Sequence, residues 1–119
     1  YELIGRRLSE LSVGGKADVK VAIDRANSFA QVDPQGDFVP VYITGRVREP
    51  QSGESLPTLA IVINGVVQAV TQTWKEMMPE RPFSWGVLVD EGAFQPGKNE
   101  IEVFVVSAEG APVLFRTNQ

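Results

Sequence analysis

Histidine and cysteine are both missing from the sequence. Without histidine, the chain lacks the commonest general base and the commonest metal ligand, and a Ser-His-Asp arrangement is excluded. Without cysteine, a disulfide, a thiolate nucleophile and a thiolate-bound metal are excluded as well. We therefore expect no catalytic residues, no metal site and no cofactor in this chain, whose fold must depend on its hydrophobic core.

Positive charge and long apolar runs are also scarce. The chain carries 11 Lys and Arg against 15 Asp and Glu, a formal net charge of -4. Proteins that bind nucleic acid or an anionic membrane surface normally present a basic face. The longest apolar runs are only as long as a strand, whereas a membrane span needs about 20 residues. We expect no nucleic-acid partner and no membrane insertion by this segment.

The composition fits one soluble domain, with 43% hydrophobic and 22% charged residues in 119. Apolar and polar residues alternate with the period of a half-buried strand in several segments, beginning with Val21 and Ile23. Such short segments with no convincing helix between them predict an all-β sandwich of about seven strands. The predicted strands are Val19–Ile23, Val39–Val47, Leu59–Ile63, Val66–Thr73, Phe83–Val89, Ile101–Val105 and Val113–Phe115.

The connections between these predicted strands contain turn-forming residues. Asn64-Gly65 separates two apolar runs, and Asn-Gly favours the positive φ angles of a type I′ hairpin turn. Glu109–Pro112 lies between the last two strands in the same way. Pro34–Asp37 and Glu49–Pro57 are polar segments rich in Gly and Pro, which predicts loops.

The first residues follow a different pattern. Within Tyr1–Leu11 the leucines and Ile4 have helix-like spacing, which predicts either a short helix or an extended connector from a preceding domain. We therefore assign residues 1–17 to a connector or short helix and residues 18–119 to the sandwich. The chain starts at Tyr1 without a basic and apolar leader, which indicates a processed or excised part of a larger protein.

One segment of the sequence resembles part of a known class of protein module. In Phe94-Gln-Pro-Gly-Lys-Asn-Glu-Ile-Glu-Val103, a Pro-Gly turn and Asn99 precede alternating apolar residues. This pattern resembles the corner before the penultimate strand of bacterial immunoglobulin-like and fibronectin type III-like β-sandwich modules. Together with Gly45–Val47 and Ala60–Gly65, it is similar to modules appended to bacterial envelope sulfatase-like hydrolases. The resemblance implies an immunoglobulin-like antiparallel sandwich outside the cytoplasm, and it carries over no catalytic residue.

Three groups of residues invite a catalytic or metal-binding hypothesis. Gly14–Lys16 lacks the spaced glycine and the following Ser or Thr of a phosphate loop, so a flexible loop is the alternative. The carboxylate pairs Glu76 with Glu80 and Asp90 with Glu91 suit acid–base chemistry on a sugar, but solvated loop charges have the same pattern. Asp33–Asp37 offers two carboxylates for calcium without the spacing of an EF-hand, and an ordinary turn explains them.

Aromatic side chains give the better candidates for a binding surface. Trp85 is in phase with Val87 and Val89, so we place it in the core. Trp74 opens a predicted loop that contains Met77 and Met78, where it would either anchor a partner or fold over the end of the sandwich.

Tyr42 and Phe104 are out of phase with the inward residues of their strands. If they share an outer face with Val62, that face is unusually apolar for a free monomer. It would then pack against a neighbouring domain of the parent chain or against another protein.

Two functions follow from these residues. The first is a non-catalytic accessory or interaction module that supports or positions a neighbouring domain of a bacterial envelope protein. The alternative is a carbohydrate-binding module, in which Trp74 and Tyr42 stack on sugar rings while Glu76, Glu80 and Arg81 bond to hydroxyl groups.

Overall fold

The strands account for most of the computed structural model of the chain, which describes residues 3–24, 42–47, 58–75, 83–89, 91–107 and 113–118. Among these described residues, the short 3₁₀ helices Leu8–Glu10 and Glu91–Ala93 accompany the strands. The strands are β1 (Ser12–Ile23), β2 (Tyr42–Val47), β3 (Thr58–Ile63), β4 (Val66–Gln72), β5 (Trp74–Lys75), β6 (Phe83–Leu88), β7 (Ile101–Ser107) and β8 (Val113–Asn118).

These strands form a sandwich of two sheets that share β1. One sheet has the order β4-β3-β7-β8-β1 and the other has the order β1-β2-β6-β5. β1 pairs in parallel with β8 from Ser12 to Lys20, and its last three residues, 21–23, pair antiparallel with β2. The strand order corresponds to that of an immunoglobulin-like sandwich. The predicted all-β sandwich is thus confirmed.

The strand bounds differ from the predicted ones at several places, among them the end of β4 and the start of β1. The predicted strand Val66–Thr73 ends at Gln72, and β5 follows at once in the other sheet, which makes eight strands among the described residues. β1 begins at Ser12, well before the expected start at Val19. The predicted boundary between residues 17 and 18 therefore lies inside β1.

The main core lies between the two sheets. Trp85, with an exposed fraction of 0%, packs among inward residues of both sheets, including Ile43, Ile61 and Val103. Val87 and Val89 are buried in the same cluster. This confirms the core position predicted for Trp85 from its phase within the strand. Ile101 packs against the cluster and is partly buried, and Glu102 is half-buried.

A second apolar cluster covers the outer face of the five-stranded sheet. It contains Leu3, which is 2% exposed, together with side chains from β3, β4, β7 and β8. Leu8 and Leu11 pack against the same cluster. We call residues 3–11 the N-terminal strap, because this segment lies on the sheet and contributes to its packing.

Backbone hydrogen bonds attach the strap to the edge strand β4. The Gly5 N–H donates to the carbonyl oxygen of Val67 at 2.7 Å, and the Val67 N–H donates to that of Arg6 at 2.9 Å. The Leu8 N–H donates to Gly65 at 2.7 Å. These bonds satisfy part of a sheet edge that would otherwise be open. Within the strap, a hydrogen-bonded turn at residues 3–5 is followed by the β-bridge of Arg7 and by the 3₁₀ turn Leu8–Glu10, where the sequence allowed a short helix or an extended connector.

The two predicted turns Asn64-Gly65 and Gln95–Asn99 meet at one end of the sandwich. Asn64 and Gly65 have φ angles of 51° and 83°, which confirms the type I′ turn between β3 and β4. The Asn64 Nδ2 group donates to Asn99 Oδ1 at 2.8 Å. The same oxygen accepts the Gln95 N–H at 2.8 Å, and Asn99 Nδ2 donates to Gln95 and Gly97 carbonyl oxygens. Asn99 therefore bonds both to the backbone of its own turn and to the side chain of the Asn64-Gly65 turn.

Candidate functional site

Tyr42 lies on the outer face of the four-stranded sheet. It is the first residue of β2 and pairs in register with Leu88 at the end of β6. Both side chains point away from the core, because Ile43 and Val87 point into it. Tyr42 is 59% exposed and Leu88 is 75% exposed. We call these two residues the Tyr42–Leu88 patch.

Polar side chains border the patch along the same face. Thr44, two residues beyond Tyr42, donates its hydroxyl hydrogen to Asp24 Oδ2 at 2.9 Å. Arg46 follows at the next outward position of β2 and is exposed. The face therefore presents an apolar pair beside one hydroxyl, one carboxylate and one guanidinium group. Such a combination can bury the apolar pair against a partner and form hydrogen bonds around it.

Phe104 does not join this surface, so its prediction as an exposed binding residue is wrong. It lies on β7 in the other sheet and is 1% exposed. Val62, which we expected beside it, is fully buried in the same cluster. The alternation was correct, since both residues point away from the main core. The N-terminal strap lies over this outer face, with Leu3 in the same cluster.

Among the remaining predicted binding residues, Trp74 lies within the described part of the chain and the two methionines do not. The backbone of Trp74 lies in β5, opposite Ser84 of β6. Met77 and Met78 lie outside the described residues, as do Glu76, Glu80 and Arg81 of the carbohydrate hypothesis. The predicted contact surface of Trp74, Met77 and Met78 stays a prediction, as does the stacking of Trp74 and Tyr42 on sugar rings.

Of the residues considered for catalysis or metal binding, the structure describes Gly14–Lys16 and the backbone of Glu91. Gly14–Lys16 belongs to β1 rather than to a flexible loop. The missing side chain of Gly14 leaves room for the ring of Phe115, since a Cβ atom there would come within 2.7 Å of Phe115 Cδ1. No group of three or more Asp and Glu residues suited to a metal ion occurs among the described residues. Asp33–Asp37 and Asp90 fall outside them.

A second surface feature is an open groove beside the strap, which sequence patterns did not indicate. Its walls come from the strap, the Asn64-Gly65 turn, the start of β1 and the end of β8. Arg7 and Arg116 are the charged residues among its described lining. We call it the Arg7–Arg116 groove. These two arginines lie near opposite ends of the chain, so only the fold brings them to one groove.

Both arginines have defined positions. The Arg7 backbone is held by a β-bridge to Val66, and its carbonyl oxygen accepts the Glu10 N–H at 2.9 Å. Arg116 forms an ion pair with Glu102 at 2.8 Å. Its guanidinium group also lies 5.4 Å from the centre of the Phe104 ring, within the range of a cation–π contact.

Comparison with known proteins yields no match of any kind. No protein-family model matches the sequence, and no curated protein or solved structure is significantly similar to it. In the described ranges, none of the helical segments has the length and apolar character needed to cross a bilayer.

Proposed function

We propose that this chain is a non-catalytic interaction module of a larger bacterial envelope protein, which packs against a neighbouring domain. The Tyr42–Leu88 patch is the observation that carries this proposal. Two large apolar side chains lie side by side on a sheet face, at 59% and 75% exposure. Full burial of such a side chain contributes roughly 1.5–3 kcal/mol relative to leaving it exposed.

The surroundings of the patch suit a protein interface. Tyrosine is enriched among the residues that dominate binding energy, since its ring buries a large area while its hydroxyl finds a hydrogen bond. Thr44, Asp24 and Arg46 supply a polar rim next to the apolar pair. The outer face of the other sheet already packs against Leu3, Leu8 and Leu11 of the strap. The face with Tyr42 and Leu88 is therefore the sheet face that we assign to the partner.

The amino-acid composition of the chain supports a non-catalytic role. With neither histidine nor cysteine in the chain, an active site would need carboxylates, lysines and hydroxyl groups alone. We expect the purified chain to hydrolyse no sulfate, phosphate or glycosidic ester, with or without divalent metal. The location outside the cytoplasm rests on the joint resemblance of Gly45–Val47, Ala60–Gly65 and Phe94–Asn99 to modules appended to bacterial envelope hydrolases.

The absence of native cysteine gives a direct experimental test. Leu88→Cys introduces the only thiol of this chain, and its rate of maleimide labelling reports exposure in the isolated chain and in the intact parent protein. We expect labelling at least several times slower in the parent. Ile4→Cys, another exposed apolar position, serves as the control for a general loss of reactivity. Equal labelling rates in the isolated chain and the parent would refute the packing role.

A carbohydrate-binding function is the second candidate, and the position of Tyr42 favours it. The exposed ring lies near the Thr44 hydroxyl and the Asp24 carboxylate, which can bond to sugar hydroxyl groups. Titration with a panel of oligosaccharides, followed by tryptophan and tyrosine fluorescence, tests it. A saturable change that Tyr42→Ala or Trp74→Ala abolishes would favour carbohydrate over domain packing. No change across the panel would exclude the sugars tested.

A further inference from the structure

We propose that the Arg7–Arg116 groove binds an extended acidic peptide segment of a partner protein. In this interaction an apolar side chain of the peptide contacts Val13, and flanking carboxylates pair with Arg7 and Arg116. The groove lies beside the strap on the five-stranded sheet and is distinct from the Tyr42–Leu88 patch. The proposal therefore concerns a second binding surface and does not depend on the first.

Charge complementarity identifies the chemistry of the partner. The whole chain has a formal net charge of -4, yet the described lining of this groove carries two guanidinium groups, of which that of Arg116 is paired with Glu102 beside the groove. A local positive region on an acidic protein attracts an anionic segment and disfavours a cationic one. Two cations on so acidic a chain are too few for nucleic acid, whose binding depends on many neutralised phosphates.

Arg116 is already positioned for a carboxylate. Its ion pair with Glu102 at 2.8 Å and its contact with the Phe104 ring limit the conformations of the side chain. Guanidinium groups have five N–H donors in a planar fork, so one carboxylate leaves other donors free. The side chain of Arg116 remains 54% exposed. A second carboxylate can thus bind without much further loss of side-chain entropy.

The shape and apolar surface of the groove favour a peptide over a small molecule. Leu11, Val13 and Val66 contribute apolar lining, and Val13 is itself exposed. The groove is open along its length rather than enclosed. Small ligands usually bind where most of their surface is buried, whereas an extended chain can bind an open groove through several side chains in succession.

Nuclear magnetic resonance titration with a pair of peptides tests the proposal on the intact chain. The probe is acetyl-Asp-Glu-Leu-Asp-Glu-amide, and its matched control is the uncharged acetyl-Asn-Gln-Leu-Asn-Gln-amide. We expect saturable shifts of backbone amides at Arg7, Val13, Gly65 and Arg116 with the acidic peptide. Affinity should fall as salt is added, because exposed charge pairs are screened.

Two variants with the same change of charge separate the groove from general attraction. Arg7→Gln should weaken binding roughly two- to fivefold, the range for one exposed charge pair. Lys98→Gln, at an exposed position outside the groove lining, should leave affinity unchanged. Equal binding of both peptides, equal effects of the two variants, or no saturable shift in the millimolar range would each overturn the proposal.

Discussion

The indole ring of Trp85 packs directly against the backbone of Gly45, its register partner across β2 and β6. A Cβ atom at Gly45 would lie 2.5 Å from Cε2 and Cζ2 of the indole and would also overlap the carbonyl oxygen of Ala22. The largest side chain of the core therefore requires the smallest residue opposite it. Gly45 in β2 is explained by this close approach, because its φ angle is not positive.

Substitution of Gly45 should therefore destabilise the fold. Gly45→Ala places a methyl group against a backbone oxygen that cannot move without disturbing the sheet, and overpacking of this kind costs about 1–3 kcal/mol. Gly15→Ala is the matched control, since Gly15 lies in β1 with nothing within 4 Å of its added Cβ atom. Urea unfolding of both variants measures the difference. Equal midpoints would show that Gly45 is not constrained by Trp85.

Removal of the Trp85 ring should have a larger effect. Trp85→Ala leaves a cavity between the sheets and should lower the free energy of unfolding by about 3–5 kcal/mol. Trp85→Phe keeps an aromatic ring and should cost less, because Trp85 Nε1 has no hydrogen-bond partner in the described structure. Thermal unfolding followed by circular dichroism compares the three proteins. An unchanged midpoint for Trp85→Ala would contradict its place in the core.

Sequence patterns predicted the sandwich and its turns because these depend on local alternation. The phase of Ile43 and Trp85 identified the inward face, and Asn64-Gly65 identified its turn, since φ angles are a local property. The burial of Phe104 was missed for a physical reason. Alternation separates the two faces of a sheet, but it does not show whether another segment covers the outer one. Here Leu3, distant in sequence, packs on that face.

The candidate binding surfaces were predictable to a smaller extent. The phase of Tyr42 predicted its outward position, but Leu88 attracted no attention, because a single apolar residue at a strand end has no distinctive pattern. Arg7 and Arg116 line the same groove only because β1 pairs in parallel with β8 and because the strap lies beside them. Long-range pairing of this type leaves no local mark in the sequence.

Asn99 should stabilise the corner between two turns. Asn99→Ala removes the oxygen that accepts the Asn64 Nδ2 and Gln95 N–H groups, which leaves both donors without this partner at a part-buried site. We expect a loss of about 1–3 kcal/mol. Asn64→Gly keeps the positive φ angle and removes one side of the contact, so a double-mutant cycle in urea isolates the coupling of the two amides. Coupling near zero would contradict a shared network.

Leu3 should contribute to the stability of the sandwich. Leu3→Ala removes a side chain that is 2% exposed, which should cost about 2–5 kcal/mol. The neighbouring Ile4 is exposed, so Ile4→Ala should change stability by less than about 0.5 kcal/mol. Chemical unfolding of the two variants provides the comparison. A similar small effect for both would show that the strap is not part of the core.

Crosslinking from the Tyr42–Leu88 patch to its partner is the measurement that tests the proposed function most directly. A photo-crosslinking amino acid at position 88 of the intact parent protein should give one discrete adduct, which mass spectrometry maps to a neighbouring domain. The same amino acid at position 4, another exposed site, should not give that adduct. Tyr42→Ser should reduce the yield, because it removes the register partner of Leu88. No adduct at position 88, or the same adducts from both positions, would contradict the account.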